Sequence, residues 1–91
     1  MQTFKLLLIE DDRAVAESLL DGLQRDGYQV EWQMTGGGGI DYIESHAAHL
    51  VILDVRLPDG NGFDWCRKMR QLGIHQPIIM LTVRSDEVDK I

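Results

Sequence analysis

Hydrophobic residues in this chain are bunched rather than spread. Residues 4–9 are apolar apart from Lys5, residues 50–53 read Leu-Val-Ile-Leu, and residues 77–82 read Pro-Ile-Ile-Met-Leu-Thr. Apolar runs this short, bounded by turn formers, predict strands buried on both faces, as in a parallel sheet. A fourth strand is of another kind, because Tyr28, Val30 and Trp32 alternate with Gln29 and Glu31 in the pattern of a half-exposed strand. Between the strands the period becomes helical. Over residues 13–26, Val15, Leu19 and Leu23 recur on one face with Ala16 and Leu20 beside them, Asp12 stands at the N-cap and Gly27 just past the end. A weak helix is expected near residues 40–46. Phe63, Cys66, Met69 and Leu72 suit another, opened by Gly62 and closed by Gly73. Ser85 can cap a last helix, with Asp86 and Glu87 well placed against its N-terminal dipole. Strands alternating with helices predict an α/β fold with a parallel sheet and right-handed crossovers.

Composition narrows the function more than the fold. The 91 residues fit one domain, 1–91, with a single modest core. A net charge of −6 argues against a nucleic-acid surface, which would carry a basic patch. No apolar run approaches the ~20 residues of a membrane span, and acids follow the first apolar segment where a signal peptide would have a small-residue cleavage site. Cys66 is alone, so the sequence offers neither an internal disulfide nor a cysteine metal cluster. A soluble protein is expected, cytoplasmic by default. The run Gly36-Gly37-Gly38-Gly39 lacks the Lys and Ser/Thr of a phosphate-cradling loop. It is expected to be a flexible loop that weakens the next helix, since each helical Gly costs ~1 kcal/mol against Ala. Asp59 reads as a turn residue, Trp32 and Trp65 as partly buried aromatics, His46, His49 and His75 as surface residues, and Cys66 as packing.

The candidate chemistry lies at the strand ends. Glu10 and Asp11 follow the first apolar run and Asp54 follows the central one, at the carboxyl ends where open α/β sheets place their sites. If those strands are neighbours, the carboxylates converge. Like charges that close raise one another's pKa and destabilise the fold unless a cation is present, and an all-oxygen donor set suits Mg2+. The alternative is that Glu10 and Asp11 merely cap the first helix and stay solvated.

Three motifs, Leu7-Leu8-Ile9-Glu10-Asp11-Asp12, Leu53-Asp54-Val55-Arg56-Leu57-Pro58-Asp59-Gly60-Asn61-Gly62 and Pro77-Ile78-Ile79-Met80-Leu81-Thr82, together resemble the receiver domain of two-component response regulators, particularly the OmpR/PhoB-like subfamily. The resemblance covers essentially the whole chain. It implies a flavodoxin-like (CheY-like) doubly wound parallel sheet of order 2-1-3-4. It also implies that Asp54 is the phosphoacceptor, attacking the phosphohistidine of a sensor histidine kinase. Asp11 then corresponds to a direct Mg2+ ligand, Glu10 to an acid that holds the metal through water, and the Arg56 backbone carbonyl to the remaining protein ligand. Thr82 corresponds to the hydroxyl that hydrogen-bonds a phosphoryl oxygen. Such a domain takes part in its own phosphotransfer rather than acting as an enzyme on a separate substrate.

The family pattern also runs on past residue 91, through a fifth strand, a Lys that pairs with the phosphoryl group, an aromatic switch residue and a fifth helix. The sequence therefore reads as an N-terminal receiver fragment without a DNA-binding effector domain. Val83 stands where the family usually has a small residue. Two expectations follow: self-association through an open fourth-strand edge or the uncovered sheet face, and impaired phosphorylation with Mg2+ binding retained. Rival readings differ in testable residues. A haloacid-dehalogenase-like phosphohydrolase would have a second Asp two positions after the first, where this chain has Arg56. A flavodoxin-like nucleotide carrier would not meet a phosphate with Glu10-Asp11-Asp12. A phosphorylation-incompetent structural or dimerising receiver stays open.

Overall fold

The computed structural model describes residues 3–81. In chain order these form β1 (Lys5–Ile9), α1 (Arg13–Arg25), β2 (Gln29–Gln33), α2 (Gly36–Ser45), β3 (Leu50–Asp54), a small antiparallel hairpin of β4 (Arg56–Leu57) and β5 (Gly60–Asn61), α3 (Gly62–Gln71) and β6 (Ile78–Leu81). The main sheet is parallel, in the order β2-β1-β3-β6. With β6 as its fourth strand, this is the expected 2-1-3-4 order of a flavodoxin-like receiver. Thr82, Val83 and the helix expected after Ser85 lie outside the described residues.

Side chains alternate across the strands, which sorts the apolar runs into two layers. Leu7, Ile9, Val51 and Leu53 join Ile40 and Ile43 of α2 and Met69 of α3 in the buried core. Leu6, Leu50, Ile52 and Ile79 turn to the opposite face, where with Phe4, Leu23, Tyr28 and His49 they line an open apolar cavity of about 460 Å³. The helix on that side, α1, is less buried than its periodicity predicts. Ala16 is its one fully buried residue, while Val15, Leu19, Leu20 and Leu23 are half-buried. Amphipathic spacing reports which face a helix turns inward and says nothing of how much covers that face. β6 is an edge strand among the described residues, and Ile79 on it is 52 % exposed.

The glycine run is a correction to the sequence reading. It is no loop: α2 begins at Gly36, and all four glycines are helical. The reason is close packing. A Cβ at Gly36 would run into the Trp65 indole, and one at Gly39 into the Ile9 side chain. Residues with side chains would hold α2 away from both the sheet and α3. The helical penalty of glycine is offset by that approach and by capping, with Thr35 Oγ1 accepting from the Gly38 amide at 2.9 Å. Other expectations hold: Asp12 caps α1 by accepting from the Val15 amide at 3.1 Å, Trp32, Trp65 and Cys66 are half-buried, and the three histidines are exposed. The cap of α3, just ahead of the expected Gly62, is Asn61.

Candidate metal centre

Strand register brings the acids together. Ile9 of β1 stands opposite Leu53 of β3, so the chain delivers Glu10 and Asp54 at the same level at the carboxyl ends of adjacent strands. One carboxylate oxygen from each of Glu10, Asp11 and Asp54 lies within 4.8 Å of the others. Burial divides the trio, since Glu10 is 2 % exposed and Asp54 1 %, while Asp11 is open to solvent.

Glu10 is fixed by its neighbours on both backbone atoms. Its amide donates to the Gln33 carbonyl at 3.0 Å, and its carbonyl accepts from the Trp32 indole N–H at 2.7 Å. Its side chain accepts from the Asp12 amide at 3.0 Å. The capping alternative is therefore met by a different residue: Asp12 caps α1 and stays exposed, whereas Glu10 is buried beneath it. Burial is the main cause that pushes the Glu10 carboxyl up from its ordinary 4.5 to about 7. The Asp12 amide opposes this, and the Asp54 and Asp11 carboxyls reinforce it through hydrogen bonding and, from Asp54, charge repulsion. A carboxyl whose ionised form is disfavoured first by burial and then by two neighbouring acids marks a site short of positive charge. Three hard oxygen donors, with room on the Asp11 side for solvent, fit a divalent cation that keeps part of its water.

The loop after Asp54 is closed tightly. The Gly62 amide donates to the Val55 carbonyl at 2.6 Å, Arg56 pairs with Asn61 across the hairpin, and a Cβ at Gly62 would overlap the Asp54 carbonyl oxygen. Arg56 thus starts the hairpin two residues beyond Asp54, exposed to solvent. Of the residues singled out from the sequence, Glu10, Asp11 and Asp54 converge, Arg56 follows Asp54 two residues on in the chain, and Thr82 is outside the described residues.

Two contacts were not legible beforehand. Trp32 showed only the alternation of a half-exposed strand, yet its N–H orients the Glu10 backbone. Asp59 is in a turn, as expected, but its carboxylate reaches across to α2 and accepts from the Gly36 and Gly37 amides, at 2.9 Å each. No local signal marks a partner 22 or 23 residues away.

Residues 6–91 match the family model described as the response regulator receiver domain. The chain is 37 % identical over 91 residues to the transcriptional regulatory protein CreB of Escherichia coli, covering all of this chain and 40 % of that one. It is 40 % identical over 86 residues to AfsQ1 of Streptomyces coelicolor, covering 94 % and 38 %. The chain thus spans about two fifths of the length of these curated relatives. Among solved structures, the non-phosphorylated HemR receiver domain from Leptospira biflexa superposes with a TM-score of 0.80 at 34 % identity, over 96 % of this chain and 73 % of that one. The MaeR response regulator bound to beryllium trifluoride superposes with a TM-score of 0.82 at 26 % identity, over 97 % and 75 %.

Proposed function

The chain belongs to the response regulator receiver domain family, and from that premise we propose that Asp54 accepts a phosphoryl group from the phosphohistidine of a sensor histidine kinase at a Mg2+ site. The convergence of Glu10, Asp11 and Asp54, with oxygens within 4.8 Å, is the observation that carries this reading. In it, Asp11, Asp54 and the Arg56 carbonyl hold the ion directly and Glu10 holds it through water. When bound, the cation neutralises charge on the transferring phosphoryl oxygens and on the acids themselves. The protein's own part is positioning. Asp54 is buried at the strand end, and on this reading one of its carboxylate oxygens attacks phosphorus in line as the bond to the donor histidine nitrogen breaks. The electron pair of that bond leaves with the imidazole, and an acyl phosphate forms on Asp54.

Thr82 belongs to the same proposal as a hydrogen-bond donor to the transferred group, as does a cytoplasmic setting. Among the described residues no helix is long and apolar enough to cross a membrane. The domain on this reading is a phosphoacceptor that assists its own modification, not an enzyme with a separate substrate. Self-association through the β6 edge is proposed as well, supported by the exposed Ile79 on that strand.

The test is labelling of the chain by acetyl phosphate with Mg2+, read by intact mass. One phosphoryl group is expected, removed by hydroxylamine and absent without the metal or in Asp54→Asn. Beryllium trifluoride, which the MaeR neighbour binds, gives an independent readout by shifting the protein's tryptophan fluorescence. Labelling that persists in Asp54→Asn would refute the assignment.

A further inference from the structure

The end of β1, which leads into Glu10, and the loop that follows Asp54 both touch the first turn of α2. Gly39 lies against the Ile9 side chain, one residue before Glu10. Gly36 and Gly37 hold the two oxygens of Asp59, in the turn of the hairpin that leaves Asp54. Trp65 of α3 lies across Gly36 and Gly60, backing that turn. Because the hairpin is closed by the Arg56–Asn61 pairing and by the Gly62-to-Val55 hydrogen bond, a constraint on Asp59 is passed to Arg56 and Asp54.

The caps of α2 divide between two residues: Thr35, from the helix's own N-terminus, serves the Gly38 amide, and Asp59 serves the Gly36 and Gly37 amides. What a carboxylate from a distant loop adds is a fixed distance. Two parallel, charge-assisted bonds from consecutive amides at the positive end of a helix dipole define both the position and the direction of the acid.

We infer that Asp59 is a positioning residue for the cation and phosphoryl site: by stapling the acceptor loop to α2, it sets how far Asp54 and Arg56 stand from Glu10 and Asp11. The inference rests on the metal reading above and deepens it. Donor sets for a small hard cation tolerate only about 0.5 Å of misplacement, so releasing the loop weakens binding although no ligand is changed.

Mg2+ titrations of the 91-residue chain, followed by tryptophan fluorescence with urea unfolding in parallel, test it. Asp59→Ala is expected to weaken Mg2+ about tenfold or more, the usual effect of losing a partner that orients a ligand. Asp59→Asn keeps one acceptor oxygen and the shape of the side chain, so it folds and falls between Asp59→Ala and wild type. Thr35→Ala removes a cap from the same helix end and lowers stability, and it leaves Mg2+ affinity unchanged, which a purely structural role for Asp59 would not predict. Wild-type affinity in both Asp59 variants, or equal weakening in Thr35→Ala, overturns the staple while leaving the metal site standing. Absence of Mg2+ binding in the wild-type chain overturns the metal reading and this inference with it.

Discussion

Replacing Glu10 by Gln should stabilise the metal-free protein, by an amount that depends on pH. The Glu10 carboxyl is raised from 4.5 to about 7 in the fold, by burial first and by the facing Asp54 next among the causes that raise it. An acid with a raised pKa binds its proton more tightly folded than unfolded. Its contribution is complete below pH 4.5, is lost as pH rises to about 7, and is flat above. At ~1.36 kcal/mol per unit, the ionised form costs the metal-free fold about 3 kcal/mol at pH 8. Gln is isosteric, keeps an oxygen for the Asp12 amide, offers Asp54 an N–H in place of a charge, and has no proton to lose. Urea unfolding in EDTA should therefore find the Gln variant close to wild type near pH 4.5 and more stable by roughly 3 kcal/mol at pH 8. Added Mg2+ should narrow that gap, because a ligand at 100 times its Kd stabilises by about 2.7 kcal/mol and wild type binds it more tightly. A Gln variant less stable than wild type at pH 8 in EDTA, or a difference that does not change with pH, would refute the account of a buried, cation-deficient acid.

Two glycine substitutions should separate hard from soft contacts. Gly39→Ala meets the Ile9 side chain, at Cδ1 and Cγ1, and no backbone, so a loss of about 1–3 kcal/mol is expected despite alanine's better helix propensity; a gain in stability by urea unfolding would disprove the close-packing argument. Gly62→Ala meets the Asp54 backbone carbonyl, which cannot swing away, so the larger loss of the two is expected, together with lost Mg2+ binding. Ile79→Lys places a charge on β6, an edge strand among the described residues, and light scattering should show a concentration-dependent mass for wild type that this variant lacks; equal masses would remove the edge from consideration.

The sheet and the acid trio were legible because both depend on short-range patterns. An apolar run ending in Glu10-Asp11 and another ending in Asp54 need only be adjacent to converge, and parallel α/β topology makes adjacency the default. The glycine run misled because propensity weighs each residue against an isolated helix, whereas Gly36 and Gly39 are selected by contacts with Trp65 and Ile9 that only tertiary structure creates. Asp59 was invisible for the same reason: its hydrogen bonds are local in space and distant in sequence. The half-burial of α1 went unforeseen because spacing carries no information about the partner layer.

The first turn of α2 has a thermal consequence. Four successive glycines forgo about 4 kcal/mol of helix propensity relative to alanine and regain the widest backbone freedom of any residue type when released. With so little propensity of its own, the turn depends on its docking contacts to stay helical, so it acts as an entropic spring wound against the loop after Asp54. Amide hydrogen exchange should register it as a separate opening unit, less protected than the second half of its own helix, with Ile40 and Ile43 of the core next in line behind it.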